Sequence, residues 1–170
     1  MKLLLLLILI ASFTLYGFSL GNKLRNRVNE IRDWKYSLKM LETEIVHSHL
    51  PLVDVCEKIS MQFSGTVATF YGELAKQLHE RINSAGDAFL TCLDISKEKG
   101  VMKQAEYEIL RRFGQGLGQY DRQTEQKQIQ LAFLNLEREE QQASDEQNAK
   151  EKMYRSLGFL SGLLVAILLI

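Results

Sequence analysis

Apolar residues follow two different patterns along this chain. Both ends carry uninterrupted apolar runs, at residues 3–20 and 157–170. Between them, apolar residues recur every three or four positions, which is the spacing that places them on one face of an α-helix. The clearest stripe predicts a first helix over residues 22–49 and consists of Leu24, Val28, Ile31, Trp34, Leu38, Leu41 and Ile45. Pro51 predicts where this helix ends, because the residue before a proline avoids the helical region.

Turn-forming residues between the later stripes predict five more helices. Ser64-Gly65 interrupts the pattern, and Thr66 is expected to cap the third helix. The five helices are expected at residues 51–63, 66–82, 87–99, 102–117 and 122–170. No alternation of polar and apolar residues bounded by turn residues occurs, so a sheet is not expected. The prediction is an all-α, six-helix bundle whose short connections favour antiparallel neighbours.

The last helix is predicted to be a rod of roughly 75 Å, since no proline follows Asp121, its expected N-cap. It begins apolar around residues 129–136, becomes polar over 137–152 and ends in the apolar run. The polar part contains Glu146→Lys150 and Glu151→Arg155, two pairs in the favourable order for residues four apart. Such a helix can extend through water without a partner on every side, so the polar part is interpreted as a stiff spacer.

The terminal runs predict two membrane segments and a two-pass topology. Residues 1–21 are expected to form an N-terminal transmembrane helix, residues 22–156 a cytoplasmic bundle domain, and residues 157–170 a C-terminal transmembrane segment. The first run is long enough to span a bilayer, whereas the second has 14 residues and is short for a hydrocarbon core of about 30 Å. A basic group follows the first run and places that side in the cytoplasm: Lys23, Arg25, Arg27, Arg32 and Lys35. The alternative is a cleaved signal peptide, which the absence of an Ala-x-Ala site disfavours.

The charge balance does not suggest a nucleic-acid-binding domain. Residues 22–156 hold 20 of the 21 basic residues and all 21 acidic ones, which leaves a net charge of −1, whereas nucleic-acid-binding domains carry a basic excess. Cys56 and Cys92 lie among apolar residues at helical spacing and are interpreted as two small buried side chains, with a disulfide or metal pair as the alternative.

No catalytic, cofactor or metal constellation is expected. His47 and His49 are two residues apart and point to different sides of a helix. The glycines of Phe113-Gly-Gln-Gly-Leu-Gly-Gln-Tyr120 lack the phosphate-loop spacing, so we interpret them as a turn that lets two helix backbones approach. Glu42 and Glu44 are interpreted as a solvated face, with a partner contact as the alternative.

Three segments together resemble the stage III sporulation protein AB family. They are Leu38-Lys-Met-Leu-Glu-Thr-Glu-Ile45 followed by Pro51-Leu52, the glycine run through Asp121, and Lys152-Met-Tyr-Arg-Ser-Leu-Gly158 before the closing apolar run. The resemblance covers essentially the whole chain, with one departure, since Phe113 stands where the family pattern has leucine. Its motif positions Glu42, Glu44, Pro51, Gly118 and Asp121 are carried over as expected partner-binding residues without assigned chemistry.

This resemblance implies a function that composition does not. The family belongs to an eight-protein, secretion-like system of endospore-forming bacteria, which is made in the mother cell, connects it to the forespore and is required for spore formation. Its cytoplasmic domain is similar to the six-helix domains of general secretion protein F, the platform of type II secretion. The implied partner is therefore the secretion-type ATPase encoded first in the same operon, stage III sporulation protein AA.

The expected function is a non-enzymatic platform in the cell membrane, with most of the chain in the mother-cell cytoplasm and the other proteins of the operon and the lipid bilayer as partners. A homo-oligomer is left open. The alternatives are a membrane-anchored helical adaptor or regulator unrelated to secretion, and a secreted helical protein whose first segment is a signal peptide.

Overall fold

The computed structural model describes the backbone of residues 2–45, 50–80 and 84–169. Within it, side chains are described at residues 19, 22–45, 50–80, 84–150, 152–153, 156–157 and 160. His47 and His49 therefore lie outside the described residues, as do most side chains of the expected membrane segments at 3–20 and 157–170.

Six helices account for nearly all of the described backbone, and no strand occurs in it. They are α1 (Lys2–Thr43), α2 (Leu52–Gln62), α3 (Gly65–Glu80), α4 (Ala85–Lys99), α5 (Gln104–Gly116) and α6 (Arg122–Leu169). The all-α, six-helix prediction is confirmed, and the last helix is continuous, as expected. The first helix differs from the prediction, because α1 passes residue 21 without a break and forms one helix of 42 residues. In the part of the chain that the structure describes, no helix combines the length and the apolar character needed to cross a membrane.

Two compact units divide the chain. The larger comprises residues 29–140 and contains the end of α1, all of α2 to α5 and the start of α6. The smaller comprises residues 1–28 and 141–170. In the smaller unit Val28 and Ala143 are buried, and Arg27 Nη1 donates to Glu146 Oε2 at 3.0 Å. Lys150 Nζ donates to Glu146 Oε1 at 2.6 Å, which confirms the first of the two expected pairs four residues apart.

A chain of aromatic rings forms the centre of the larger unit. Trp34 of α1 meets Phe70 of α3 edge to face at 4.8 Å between ring centroids, and Phe70 meets Phe89 of α4 at 4.9 Å. Phe89 in turn meets Phe113 of α5 at 5.4 Å. Edge-to-face contacts of this kind add to the stability gained by burying the rings. Four helices are thereby joined through one core.

The middle of the first stripe is buried, because Val28, Ile31, Trp34, Leu38 and Leu41 are each at most 4% exposed, whereas its end members Leu24 and Ile45 are half-buried. At the start of α6 only some of the apolar residues are buried. Its buried side chains are Ile129, Ala132 and Leu136, whereas Leu131 and Leu134 are each 53% exposed. Only one stripe of α6 therefore belongs to the core.

The helix ends show where local signals apply. Ser84 caps α4, since its hydroxyl accepts a hydrogen bond from the Asp87 N–H at 3.1 Å, and the helix begins two residues before the predicted start. The expected cap by Thr66 is wrong, because α3 begins at Gly65 and the Thr66 hydroxyl donates to Glu30 Oε2 at 3.4 Å. The Thr66 hydroxyl therefore binds the Glu30 carboxylate of α1 and does not cap α3.

The polar stretch of α6 is not an unpartnered spacer over its described residues. Lys35 Nζ donates to Glu140 at 2.8 Å and Glu137 at 3.3 Å, and Arg32 Nε donates to Glu140 at 3.0 Å. Arg27 and Glu146 continue the pattern in the smaller unit. Three members of the basic group, Arg27, Arg32 and Lys35, thus pair with carboxylates of α6, a role that topology alone did not predict.

Candidate interaction site

Five residues were expected to bind a partner, and the structure brings them together at one end of the larger unit. At this end α1 stops, α2 starts, α5 stops and α6 starts. Glu42 and Glu44 lie at the end of α1, Pro51 directly precedes α2, and Gly118 and Asp121 lie between α5 and α6. Residues more than 60 positions apart in the sequence, such as Pro51 and Gly118, therefore lie at the same end of the unit.

A cleft of about 230 Å³ opens among these helix ends. Four apolar side chains dominate its wall, and the remaining positions are a glycine, one cation and one carboxylate. The lining residues are Ile45, Leu50, Leu52, Leu117, Gly118, Arg122 and Glu125. Clefts that bind partners combine an apolar wall with a few polar groups that orient what enters. We treat this cleft, called the terminal cleft below, as the candidate interaction site.

Gly118 shapes the turn on one side of the terminal cleft. Its φ of +77° lies in the left-handed region, where side-chain-bearing residues are strained and glycine is not. This conformation directs its N–H to the Glu125 carboxylate, which accepts the hydrogen bond at 2.8 Å. Glu125 therefore positions the turn between α5 and α6, while Arg122 supplies the cation of the cleft wall.

The glycines that precede this turn bring two helices close together. A Cβ atom on Gly86 at the start of α4 would lie 2.9 Å from the carbonyl oxygen of Gly114 in α5. The interpretation of the whole glycine run as a turn is wrong, because only Gly118 lies between the helices, and the glycine that lets the two backbones approach is Gly86 of α4. Gly114 and Gly116 lie within α5, so the run does not form a loop around a phosphate.

Asp121 begins α6 as expected. Its carboxylate accepts a hydrogen bond from the Thr124 hydroxyl at 2.6 Å, and this bond is the main reason that its pKa is lowered from 3.8. Backbone N–H groups of Thr124 and Gln123 lower the pKa further. A carboxylate at this position satisfies helix N–H groups that have no partner within the helix. The expected N-cap is confirmed.

Glu42 is buried, and the interpretation of it as part of a solvated face is wrong. It is 6% exposed, and its carboxylate accepts hydrogen bonds from Lys39 Nζ at 2.8 Å, Gln130 Nε2 at 2.7 Å and Gln126 Nε2 at 3.2 Å. Burial alone would raise the pKa of Glu42, but these three donors lower it below 4.5. The residue joins α1 to α6 inside the unit.

Glu44 is buried for a similar reason, being 7% exposed and accepting a hydrogen bond from Lys58 of α2. Two carboxylates with internal partners hold the helices that frame the terminal cleft. They are placed to position the cleft wall without lining it, and Gly118 is the one expected residue among those that line the cleft.

Sequence reasoning missed Leu50, Arg122 and Glu125 as parts of this site. Leu50 is 41% exposed and precedes Pro51, so an apolar side chain stands at a helix junction where a polar one is usual. That was the available signal. Arg122 and Glu125 gave none, because charged residues in the first turn of a helix are ordinary. Among the residues that the structure describes, no group of three or more His, Cys, Asp or Glu side chains could hold a metal ion.

The fold and the cleft define a class: an all-helical protein with a largely apolar cleft where four helix ends meet. Comparison with known proteins narrows the class. A sequence model of the stage III sporulation protein AB family matches residues 2–170. The chain belongs to this family.

Two individual relatives agree with this assignment. Stage III sporulation protein AB of Bacillus subtilis (strain 168) is 36% identical over 169 residues, which is 99% of each protein. A solved structure of stage III sporulation protein AB (SpoIIIAB) superimposes with a TM-score of 0.70 at 34% sequence identity and covers 73% of this chain and 98% of its own.

Proposed function

We propose that this protein is a non-enzymatic platform of the stage III sporulation complex, anchored in the mother-cell membrane by both ends and needed to link mother cell and forespore. Family membership supports the sporulation role. The terminal cleft supports the platform role, because an apolar wall with one arginine suits a protein contact. The partner proposed for this surface is the secretion-type ATPase, stage III sporulation protein AA.

The terminal cleft carries this proposal because Gly118 lines it and because its wall includes Leu50, Leu52 and Arg122, which neighbour Pro51 and Asp121 in the sequence. Leu50 offers an exposed apolar anchor, and Arg122 offers a cation to a carboxylate of the partner. Interfaces draw most of their binding energy from a few such anchors, with arginine among the most frequent. The likeness to general secretion protein F and the two-pass topology remain part of the proposal.

Co-purification of the full-length chain with the ATPase tests the contact. Leu50→Asp places a charge on the apolar wall and should reduce recovery of the ATPase at least about tenfold, since a lost anchor costs more than about 1.4 kcal/mol. Met61→Asp is the matched control, because Met61 is 82% exposed and does not line the terminal cleft. Equal recovery with both variants would refute the terminal cleft as the contact surface.

Complementation tests the cellular role separately. Cells that lack the gene should fail to form spores after engulfment, and the wild-type gene or Met61→Asp should restore spores. Normal sporulation in the deletion strain would contradict the proposed function. It would favour instead an adaptor or regulator outside the secretion-like complex.

A further inference from the structure

A second cleft lies between α3 and α4, on residues that the terminal cleft does not use. Its volume is about 370 Å³, and four residues from each helix line it: Thr66, Thr69, Phe70 and Glu73 of α3, and Cys92, Ile95, Ser96 and Lys99 of α4. Phe70, Cys92 and Ser96 form a buried floor, each at most 5% exposed. Ile95 stands on the rim and is 41% exposed, although it is a large apolar residue.

The two walls of this cleft run in opposite directions. Glu30 Oε2 accepts hydrogen bonds from the Thr66 hydroxyl at 3.4 Å and from the Val101 N–H at 3.2 Å. The start of α3 and the end of α4 therefore meet at the same carboxylate. Lys99 stands at this end of the cleft, next to the end of α4.

The other end carries a carboxylate, Glu73, which forms an exposed ion pair with Lys76 at 3.4 Å on the same helix. Glu73 lies seven residues beyond Thr66 along α3, which corresponds to about 10 Å of helix. The cleft thus has an ammonium group at one end, a carboxylate at the other, and between them a buried floor made of an aromatic ring, a thiol and a hydroxyl. A span of about 10 Å is two turns of helix, and residues seven apart lie on the same helix face.

We propose that the α3–α4 cleft binds an amphipathic helix of another protein. One large apolar side chain of that helix enters between Phe70 and Ile95. A basic residue on the same helix face lies against Glu73, and an acidic residue seven positions away lies against Lys99. This is the helix-in-groove mode of recognition, with the charges at the two ends selecting the partner. The inference concerns a surface separate from the terminal cleft and does not depend on the ATPase contact.

Three synthetic helical peptides test the charge pattern on the full-length chain. Each has an alanine-based scaffold with a central phenylalanine and charged residues three positions before it and four positions after it. The charges are lysine and glutamate in the mixed peptide, two lysines in the second and two glutamates in the third. A fluorescent label on each peptide allows anisotropy measurement of Kd at low salt.

The wild-type chain should bind the mixed peptide best, by about three- to fivefold over either like-charged peptide, which is the range of one exposed ion pair. Glu73→Lys should shift the preference to the two-glutamate peptide, and Lys99→Glu to the two-lysine peptide. Replacing the central phenylalanine by alanine should weaken binding about tenfold or more. This three-by-three comparison uses only exposed charges, so the fold should tolerate each variant.

Ile95→Asp should abolish binding, and Met61→Asp should leave it unchanged, with thermal melting confirming that both variants fold. Equal binding of the three peptides, no binding up to about 1 mM, or binding that survives Ile95→Asp would overturn the proposal. Analytical ultracentrifugation checks a competing occupant. A self-association that Ile95→Asp abolishes would mean that a second copy of the chain fills the cleft, and would also overturn it.

Discussion

Two glycines inside helices should respond to alanine with opposite signs. Gly114 lies in α5, and a Cβ atom there would stand 2.3 Å from Cδ1 of Phe89. Gly72 lies in α3, where the nearest atom to a new Cβ would be the Ser60 Cβ at 3.7 Å, an ordinary contact. Both substitutions gain helix propensity, so the difference between them measures the packing at Phe89.

The magnitude follows from the surroundings of the ring. Phe89 is fully buried and has Phe70 and Phe113 edge to face against it, so it has to move by roughly 1 Å to restore a normal carbon–carbon distance. Overpacking costs about 1–3 kcal/mol, and an approach as short as 2.3 Å to a buried ring belongs to the upper part of that range, about 2–3 kcal/mol. Alanine returns at most about 1 kcal/mol of helix propensity. We expect Gly114→Ala to lower the free energy of unfolding by about 1–2 kcal/mol and Tm by about 2–8 °C. Gly72→Ala should raise the free energy of unfolding by about 0.5–1 kcal/mol.

Urea and thermal denaturation of the two variants supply the comparison, with Phe89→Leu as a second background. If the ring is the cause, Gly114→Ala should cost about 1 kcal/mol less when Phe89 is leucine, because residues in contact are not additive. The reasoning is refuted if both alanine variants change stability in the same direction, or if the cost at Gly114 is the same in both backgrounds.

Three further predictions concern ionisable groups. Burial raises the pKa of Glu30 above 4.5, so the folded chain binds more protons at this carboxyl than the unfolded chain does. The free energy of unfolding should therefore fall as pH rises from 4.5 through the folded-state pKa. Glu30→Gln should remove this pH-dependent component from thermal melts recorded at a series of pH values, and an unchanged profile would contradict the prediction. Lys35→Met should lower stability by about 1–2 kcal/mol in urea, because Glu140 keeps Arg32 but loses its buried ammonium partner, and a neutral result would mean that the pair contributes nothing. Burial raises the pKa of the Cys56 thiol to about 12 and that of the Cys92 thiol to about 11. Ellman's reagent should therefore react with the thiols of the native chain at least about 100-fold more slowly than with those of the denatured chain. Fast labelling of the native chain would show that the core opens.

Periodicity was sufficient for the helices and for the core face of α1. Trp34 and Leu38 are buried because they fall on the stripe, and the stripe is a local property of the sequence. The same reasoning failed for Leu131 and Leu134, which are apolar but lie outside the stripe of Ile129, Ala132 and Leu136. The number of apolar residues identifies a helix that contributes to the core, whereas their angular positions around the helix identify which face is buried.

Long-range pairing could not be predicted in the same way. Lys35 and Glu140 are 105 residues apart, and nothing in their local sequence specifies that they meet. The basic group was sufficiently explained by a membrane boundary, and the acidic stretch by pairs four residues apart, so no unexplained charge remained to suggest a contact. Complementary charge on two long helices became informative only once their antiparallel arrangement was known.

The burial of Glu42 and Glu44 changes how the proposed ATPase contact has to be tested. Charge reversal at Glu42 would place a cation beside Lys39 and remove the acceptor of Gln126 and Gln130, so the helix ends around the terminal cleft would separate whether or not the ATPase binds there. Loss of binding after such a reversal would therefore follow from either a direct contact or a distorted cleft. Leu50 avoids this ambiguity, since its side chain is partly exposed and carries no internal ion pair. A contact that depends on Leu50 and tolerates Glu42→Gln would assign binding to the apolar wall and leave the buried carboxylates the task of holding it in place.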